Sequence, residues 1–389
     1  MRKTRCIAGT AGPGCIVLTG DRGDGICDFD EQGFPLQSKQ DFSMTVTPLL
    51  ALPAQPIGTR WPTLDWPQGE PRLADRGAFE ALVDEAFAAR FTPTLGETHV
   101  LLVVQGGRIT FERYGEGFTA ESTHHSWSKA KSITHALAGI LVQDGKLDIE
   151  TPADVPEWAG DARAGITLDH LLRMSSGLRF VEEYDPNGPA SDVIAMLFGE
   201  GKEDVAAYAI SRPLIYAPGT FWSYASGTSN IVSRILSRRL DAFGADFERF
   251  MNARLFGPTG ITSAIPKFDA AGTFIGSSFC FMTARDFARF GLLYMRDGVW
   301  EGRRLLPEGW VDYARRPTFQ QPGVDANRYG AHWWLDFGGP GSFSANGYDG
   351  QFTVLLPDRD TIIVRHGATP LMIKDNLRAW IGKLAASLG

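Results

Sequence analysis

Apolar residues recur along this chain with two periods, and the changeovers between them outline its architecture. After Phe79, the residues Leu82, Val83 and Phe87 follow at i+3, i+4 and i+8, the spacing of one helix face. Residues 99–105 and 108–114 are β-rich runs joined by Gly106-Gly107, a link that predicts a tight hairpin. The helical period returns over residues 128–144, with Ile133, Ala136, Leu137, Ile140 and Leu141 as its stripe and Gly145 as its stop. Residues 145–285 read as helices between loops rich in Gly, Pro and Ser, for example at 168–173 and 231–240. Strand candidates follow at 332–337, 352–356 and 361–366, with the turn signal Pro357-Asp358 between the last two. A final helix over residues 371–388 puts Leu377, Trp380, Ile381 and Leu384 on one face.

This order predicts an α+β fold: an antiparallel sheet built from both ends of the chain, flanked by N- and C-terminal helices, with a helical domain inserted between. The expected divisions are an extended arm over 1–75, an α/β domain from 76–145 and 286–389, and a mainly helical domain over 146–285. Within the arm, residues 49–72 carry five prolines (Pro53, Pro56, Pro62, Pro67 and Pro71) together with Trp61 and Trp66. Proline lacks an amide donor, so this segment is expected to run extended over a surface.

Composition narrows the function classes. The 389 residues allow two or three domains, and 43% hydrophobic with 21% charged residues excludes a mainly disordered chain. A formal net charge of −7 argues against a general nucleic-acid binder. No run of about 18 apolar residues is present, so no transmembrane helix is expected. Cys6, Cys15, Cys27 and Cys280 form no C-x-x-C pair and fit no usual zinc spacing, which leads us to expect free thiols in a reducing compartment. The basic start of the chain mimics a signal peptide, but Gly12, Pro13 and Gly14 break its apolar stretch. The expectation is a cytoplasmic protein that is not exported.

The run H-S-W-S-K-A-K-S at residues 125–132 holds two overlapping S-x-x-K motifs, Ser126 with Lys129 and Ser128 with Lys131. A serine at a helix N-terminus sits at the positive end of the helix dipole beside unpaired N–H groups. A lysine three residues on lies on the same face. If desolvated, its amine can be neutral near pH 7 and accept the serine proton, giving a nucleophile and base without histidine. Lys131 is off the apolar stripe and can face a cleft; so can Lys129. A helix N-cap serine beside a solvated lysine is the alternative reading.

The pattern W-S-x-A-K-S, followed by a helix ending in D-G-K-L-D, resembles the serine hydrolases with the class C β-lactamase fold. That group includes DD-peptidases, esterases and 6-aminohexanoate-oligomer hydrolases. Its pattern has a glycine fourteen residues after the motif lysine, as Gly145 is after Lys131, so the resemblance selects Ser128 and Lys131 as nucleophile and base. The segment L-I-Y-A-P-G-T-F-W-S-Y-A-S at 214–226 resembles the family's P-G-x-x-x-x-Y-x-N element, which implies Tyr224 as the second proton-handling group. Ser226 stands where β-lactamases carry Asn, a departure that the oligomer hydrolases tolerate, and the resemblance implies it as a substrate-binding residue.

Residues 345–352, A-N-G-Y-D-G-Q-F, resemble the strand beside the active site in its G-x-x-G-Q version rather than the β-lactamase K-T-G. The resemblance implies the backbone N–H groups of Ser128 and Tyr348 as oxyanion donors, with Gly347 and Asp349 beside the substrate. L-L-R-M-S-S-G-L at 171–178 looks common to the superfamily. The following F-V-E-E-Y resembles the oligomer-hydrolase branch, implying Tyr184 as a substrate-binding residue. With T-A-R-D at 283–286 and Trp333-Trp334, the likeness spans about residues 95–389.

Other chemistries find less support. Adjacent His124 and His125 point different ways on most backbones and have no carboxylate at ligand spacing, so no metal is expected. No G-x-S-x-G elbow, Walker A or G-x-G-x-x-G motif stands between a strand and a helix, so no cofactor is expected. The expectation is therefore a serine hydrolase of small-molecule amides or esters, with no nucleic-acid or membrane partner and a homodimer allowed. The favoured substrates are short linear amides such as 6-aminohexanoate oligomers, or short-chain esters. The alternatives are a β-lactamase or DD-peptidase and, in another class, a non-catalytic receptor on the same fold.

Overall fold

The computed structural model describes residues 49–184, 190–319 and 328–389. The expected arm up to residue 48, with Cys6, Cys15 and Cys27, lies outside the described residues; Cys280 is a buried free thiol. The fold is mixed α+β, centred on a six-stranded sheet. Its strands are β1 (Glu97–Gln105), β2 (Arg108–Tyr114), β3 (Trp334–Leu335), β4 (Phe343–Gly347), β5 (Gln351–Leu356) and β6 (Thr361–Ala368). They lie in the order β2-β1-β6-β5-β4-β3, and every neighbouring pair is antiparallel. Gly106 and Gly107 adopt φ of 57° and 73°, the paired left-handed conformations that the β1–β2 turn requires.

Two adjacent interior strands, β1 and β6, show why their sequences read as unbroken apolar runs. Residues 100–104 and 362–364 are at most 1% exposed, because both faces of the sheet are covered. On one face, α1 (Arg76–Phe87) brings Phe79, Leu82 and Val83 against Leu377, Trp380, Ile381 and Leu384 of α5 (Lys374–Ser387). Helices α2 (Lys129–Gln143) and α4 (Ala284–Met295) cover the other face. Beyond α2 lies a helical layer around α3 (Ser226–Leu240), joined by shorter helices such as Leu168–Leu172 and Val205–Ile210. Residues 145–285 also supply Ile265–Pro266 and Cys280–Thr283, and the latter pairs with both Ile265–Pro266 and Thr123–His124 in a small second sheet.

Three differences from the periodicity are instructive. Helix α2 has no polar face: all its residues from 129 to 141 are buried, because it is held between the sheet and the α3 layer. Its polar groups are paired instead, as in Ser132 Oγ to His332 O at 2.8 Å and Thr134 Oγ1 to Gly276 O at 3.0 Å. The strand expected at 332–337 shrinks to two residues, because His332 and Asp336 on either side both have φ of 57°. The proline-rich stretch pairs with the β2 edge through Gly69 N to Ile109 O and Ile109 N to Pro67 O, both 2.9 Å. An edge is where prolines without an N–H are tolerated. No helix among the described residues is long and apolar enough to cross a membrane.

Candidate active site

The site forms where the start of α2 meets the end of β4. Gly347 lies so close to the preceding loop that a Cβ there would overlap the Ser126 carbonyl oxygen. Trp127 turns the chain into α2 with φ of 44°, a costly conformation for a bulky residue and one typical of functional sites. Bonds from Lys129 N to Ser126 O (3.2 Å), Ala130 N to Trp127 O (3.0 Å) and Lys131 N to Ser128 O (3.0 Å) open the helix. Ser128 occupies the N-cap position, yet its side chain makes no capping bond. Its half-exposed hydroxyl lies 3.0 Å from Lys131 Nζ.

Lys131 is 1% exposed, and burial brings its amine down to about 8, against the raising effect of Glu182. Nζ has two other polar neighbours, Ser226 Oγ and Ser277 O, each at 2.9 Å. The Ser277 carbonyl can only accept. Ser226 Oγ gives its proton to the Glu182 carboxylate at 2.6 Å, so it too accepts from the lysine. A neutral amine has two N–H bonds and one lone pair. With both N–H bonds committed, the lone pair faces Ser128. Glu182 also accepts from Ser226 N (2.7 Å) and Tyr184 Oη (3.2 Å), which locks its own orientation.

The Tyr224 ring lies beside the same amine, its centroid 4.9 Å from Lys131 Nζ. Burial and the Glu182 charge hold its phenol above the ordinary tyrosine range, against opposing contacts with Ser128 and Trp334. Tyr184 is raised for the same first two reasons and packs 5.1 Å from the Tyr348 ring. Tyr348 also meets Trp127 edge to face at 5.5 Å. Asp349 follows in the left-handed region, with φ of 59° and ψ of 16°. Burial raises its half-buried carboxyl above the usual range, and Arg365 partly offsets this. Tyr224 contacts Ser128 and lies 5.3 Å from Trp334, while Trp127, Tyr348 and Tyr184 form a chain of rings beginning at the residue before Ser128.

The structure gathers Ser128, Lys131, Tyr224, Tyr184, Ser226, Gly347, Tyr348 and Asp349 into this one region. Ser226 is only 1% exposed, and both hydroxyl contacts go to Lys131 and Glu182, so it stands behind the lysine rather than on the cleft wall. The other S-x-x-K pair separates. Ser126 Oγ bridges Ser278 O and Cys280 N at 2.9 Å each, whereas Lys129 points into the sheet toward His366 at 3.2 Å. His124 stacks on His366 at 4.5 Å, while His125 Nδ1 accepts from Trp127 N at 2.8 Å. Among the described residues, no three His, Cys, Asp or Glu side chains converge as a metal site would need. Sequence reasoning missed Glu182, although it sits two positions before Tyr184 in a quoted motif. It also missed Ser277, which acts through a carbonyl that no side-chain pattern signals.

Comparison with known proteins places these features in context. The Beta-lactamase family model matches residues 87–381. The 6-aminohexanoate-dimer hydrolase of Paenarthrobacter ureafaciens is 25% identical over 303 residues, covering 73% of this chain and 75% of that protein. A solved structure from Bacillus anthracis, provisionally named a 6-aminohexanoate-dimer hydrolase, superposes with a TM-score of 0.67 at 19% identity, covering 87% of this chain and 90% of that one. The Bacillus halodurans penicillin binding protein gives 0.55 at 18% identity, covering 72% and 94%. At these identities the structural likeness speaks for the fold.

Proposed function

The chain belongs to the beta-lactamase family, and we propose that it is a serine hydrolase that cleaves short linear amides or short-chain esters through an acyl-enzyme. The observation that carries this reading is the committed lone pair: buried Lys131, near 8, with Ser128 Oγ at 3.0 Å and its other two directions occupied.

In the proposed reaction, neutral Lys131 takes the Ser128 proton as Oγ bonds to the substrate carbonyl carbon. The carbonyl electrons move onto oxygen, and the N–H groups of Ser128 and Tyr348 donate hydrogen bonds to that oxyanion; losing one such donor typically costs ~3 kcal/mol of transition-state stabilisation. Collapse restores the carbonyl and breaks the C–N or C–O bond. The proton held by Lys131 reaches the leaving group through Tyr224, whose raised phenol is a proton carrier rather than the primary base. Water then attacks the ester by the reverse proton path, releasing the acid and restoring Ser128.

Residues 343–350 hold no lysine to meet a substrate carboxylate, and the charge nearest Lys131 on the Ser226 side is the acid Glu182. This favours linear substrates with no charge next to the scissile bond, as in a short ester or a 6-aminohexanoate amide whose carboxylate lies at the far end of its chain, over β-lactams, whose carboxylate sits beside the ring nitrogen. The relative named 6-aminohexanoate-dimer hydrolase adds support for a linear amide. The test is a comparison of turnover on p-nitrophenyl acetate, the linear 6-aminohexanoate dimer and a cephalosporin. Repeated turnover on the ester or linear amide is expected. A cephalosporin hydrolysed best would replace this reading with a β-lactamase, and release of one equivalent without turnover would mean a covalent receptor.

A further inference from the structure

The second motif lysine, Lys129, takes no part in the proposed chemistry, yet it is among the most deeply buried cations in the protein at 1% exposure. Its Nζ lies 3.3 Å from the centre of the Phe287 ring and 3.2 Å from His366 Nε2. His366 Nδ1 in turn lies 2.9 Å from Gln351 Oε1. That oxygen can only accept, so Nδ1 carries the ring proton and Nε2 offers its lone pair to Lys129. The Gln351 amide nitrogen donates onward to Gly367 O at 2.5 Å and Asp349 O at 3.3 Å. Every link has one allowed direction, running from the residue after Ser128 to the residue after Tyr348.

The turn at the far end needs holding. Asp349 adopts φ of 59° and Gly350 φ of 80°, so two consecutive left-handed residues follow Tyr348. A second clasp comes from the opposite face of the sheet. Arg365, fully buried, donates to Gly350 O (3.0 Å) and Asp349 O (3.3 Å) with one arm and to Glu97 O (2.9 Å) and Leu95 O (3.2 Å) with the other. Gly350 and Gly367 are bare where the guanidinium passes; a Cβ on either would overlap it. Burial keeps both Lys129 and His366 well below their ordinary values, consistent with an uncharged relay.

We propose that Lys129, His366 and Gln351 are positioning residues that tie the start of α2 to the strained Tyr348–Gly350 turn and so fix the spacing of the two oxyanion donors. This rests on the reading of the Ser128 and Tyr348 N–H groups as those donors. The relay acts on the tetrahedral oxyanion rather than on substrate docking. In Lys129→Met, an apolar chain end replaces Nζ over the Phe287 ring and the bond to His366 is lost. In Gln351→Glu, the second carboxylate oxygen faces the Asp349 and Gly367 carbonyls, and the onward donor is lost.

The experiment measures kcat and KM for p-nitrophenyl acetate, Ki for phenylboronic acid, which forms a tetrahedral adduct on the nucleophile, and melting temperature. Both variants are expected to lose about tenfold or more in kcat, to keep KM within about twofold, and to weaken boronate binding in step with kcat. Wild-type kcat and boronate Ki in either folded variant would overturn the relay, even with a lowered melting temperature. Wild-type ester turnover that survives Ser128→Ala would instead overturn the underlying reading of the site, and the relay with it.

Discussion

Replacing Glu182 by Gln keeps the size of that side chain and turns into a donor the oxygen that accepts from Ser226 Oγ and Tyr184 Oη. In the native site both carboxylate oxygens accept, from Ser226 N at 2.7 Å and Ser226 Oγ at 2.6 Å. With Gln, the amide oxygen takes the Ser226 N–H and the amide nitrogen donates to Ser226 Oγ. The Ser226 proton must then turn to Lys131, and the lysine lone pair follows it away from Ser128. A charge-assisted hydrogen bond is worth roughly 1.5–3 kcal/mol, so a loss of about 10- to 150-fold in the kcat/KM plateau is expected.

The same change removes a negative charge from the lysine. Hydrogen bonds of 2.9 and 2.6 Å separate Nζ from the carboxylate, so the two charges lie at most about 5.5 Å apart. At an effective dielectric of ~20 their attraction is ~3 kcal/mol, reduced here because Glu182 is only half-buried. Glu182 holds the lysine up, so its loss lowers the amine further below about 8. Activity needs the neutral amine, and it therefore rises with pH through that value. In Glu182→Gln the rise moves to lower pH, by about one unit after screening. The assay is kcat/KM for a p-nitrophenyl ester from pH 5.5 to 9.5. An unchanged plateau, or a rise moved to higher pH, would refute the lone-pair reasoning.

Three further outcomes are expected. Lys131→Arg keeps the charge but removes the base, so steady turnover should vanish in a protein that still gives a native circular dichroism spectrum; near-normal kcat would remove lysine from the mechanism. Tyr224→Phe should lower kcat on a linear amide by about a hundredfold and on a p-nitrophenyl ester much less, since that leaving group departs without a proton; equal losses on both would argue against a proton carrier. Ser126→Ala breaks two buried hydrogen bonds and should cost ~1–3 kcal/mol in chemical denaturation while turnover persists; abolished turnover at full stability would favour the other S-x-x-K register.

Much of the scaffold was legible because its elements obey simple periods. The β1–β2 hairpin announced itself through Gly106-Gly107, whose turn chemistry is local, and α5 through Leu377, Trp380, Ile381 and Leu384, which make up its buried face. Helix α2 was legible as a helix but not as a fully enclosed one, because Lys129 and Lys131 lie off its apolar stripe and read as cleft-facing until their buried partners are known. Strand β4 carries no alternating pattern of its own and was anticipated only through the family likeness. Of the candidate site, Ser128, Lys131 and Tyr224 stood out as motif residues. Glu182 was quoted yet passed over, because its contact with Ser226 spans 44 positions and exists only once the loop folds onto α3. The motif spacing allows Lys129 as a base as well as Lys131, and the helix phase of a single turn does not decide between them; in the structure Lys129 faces the sheet.

The central claim is that Ser128 is a nucleophile made reactive by Lys131, and active-site titration with a fluorophosphonate tests it most directly. Intact mass followed by peptide mapping should find one adduct, on Ser128, forming faster as pH rises through about 8 and lost in Lys131→Ala. An adduct on Ser126 or elsewhere, or folded protein that takes up no label, would contradict the account.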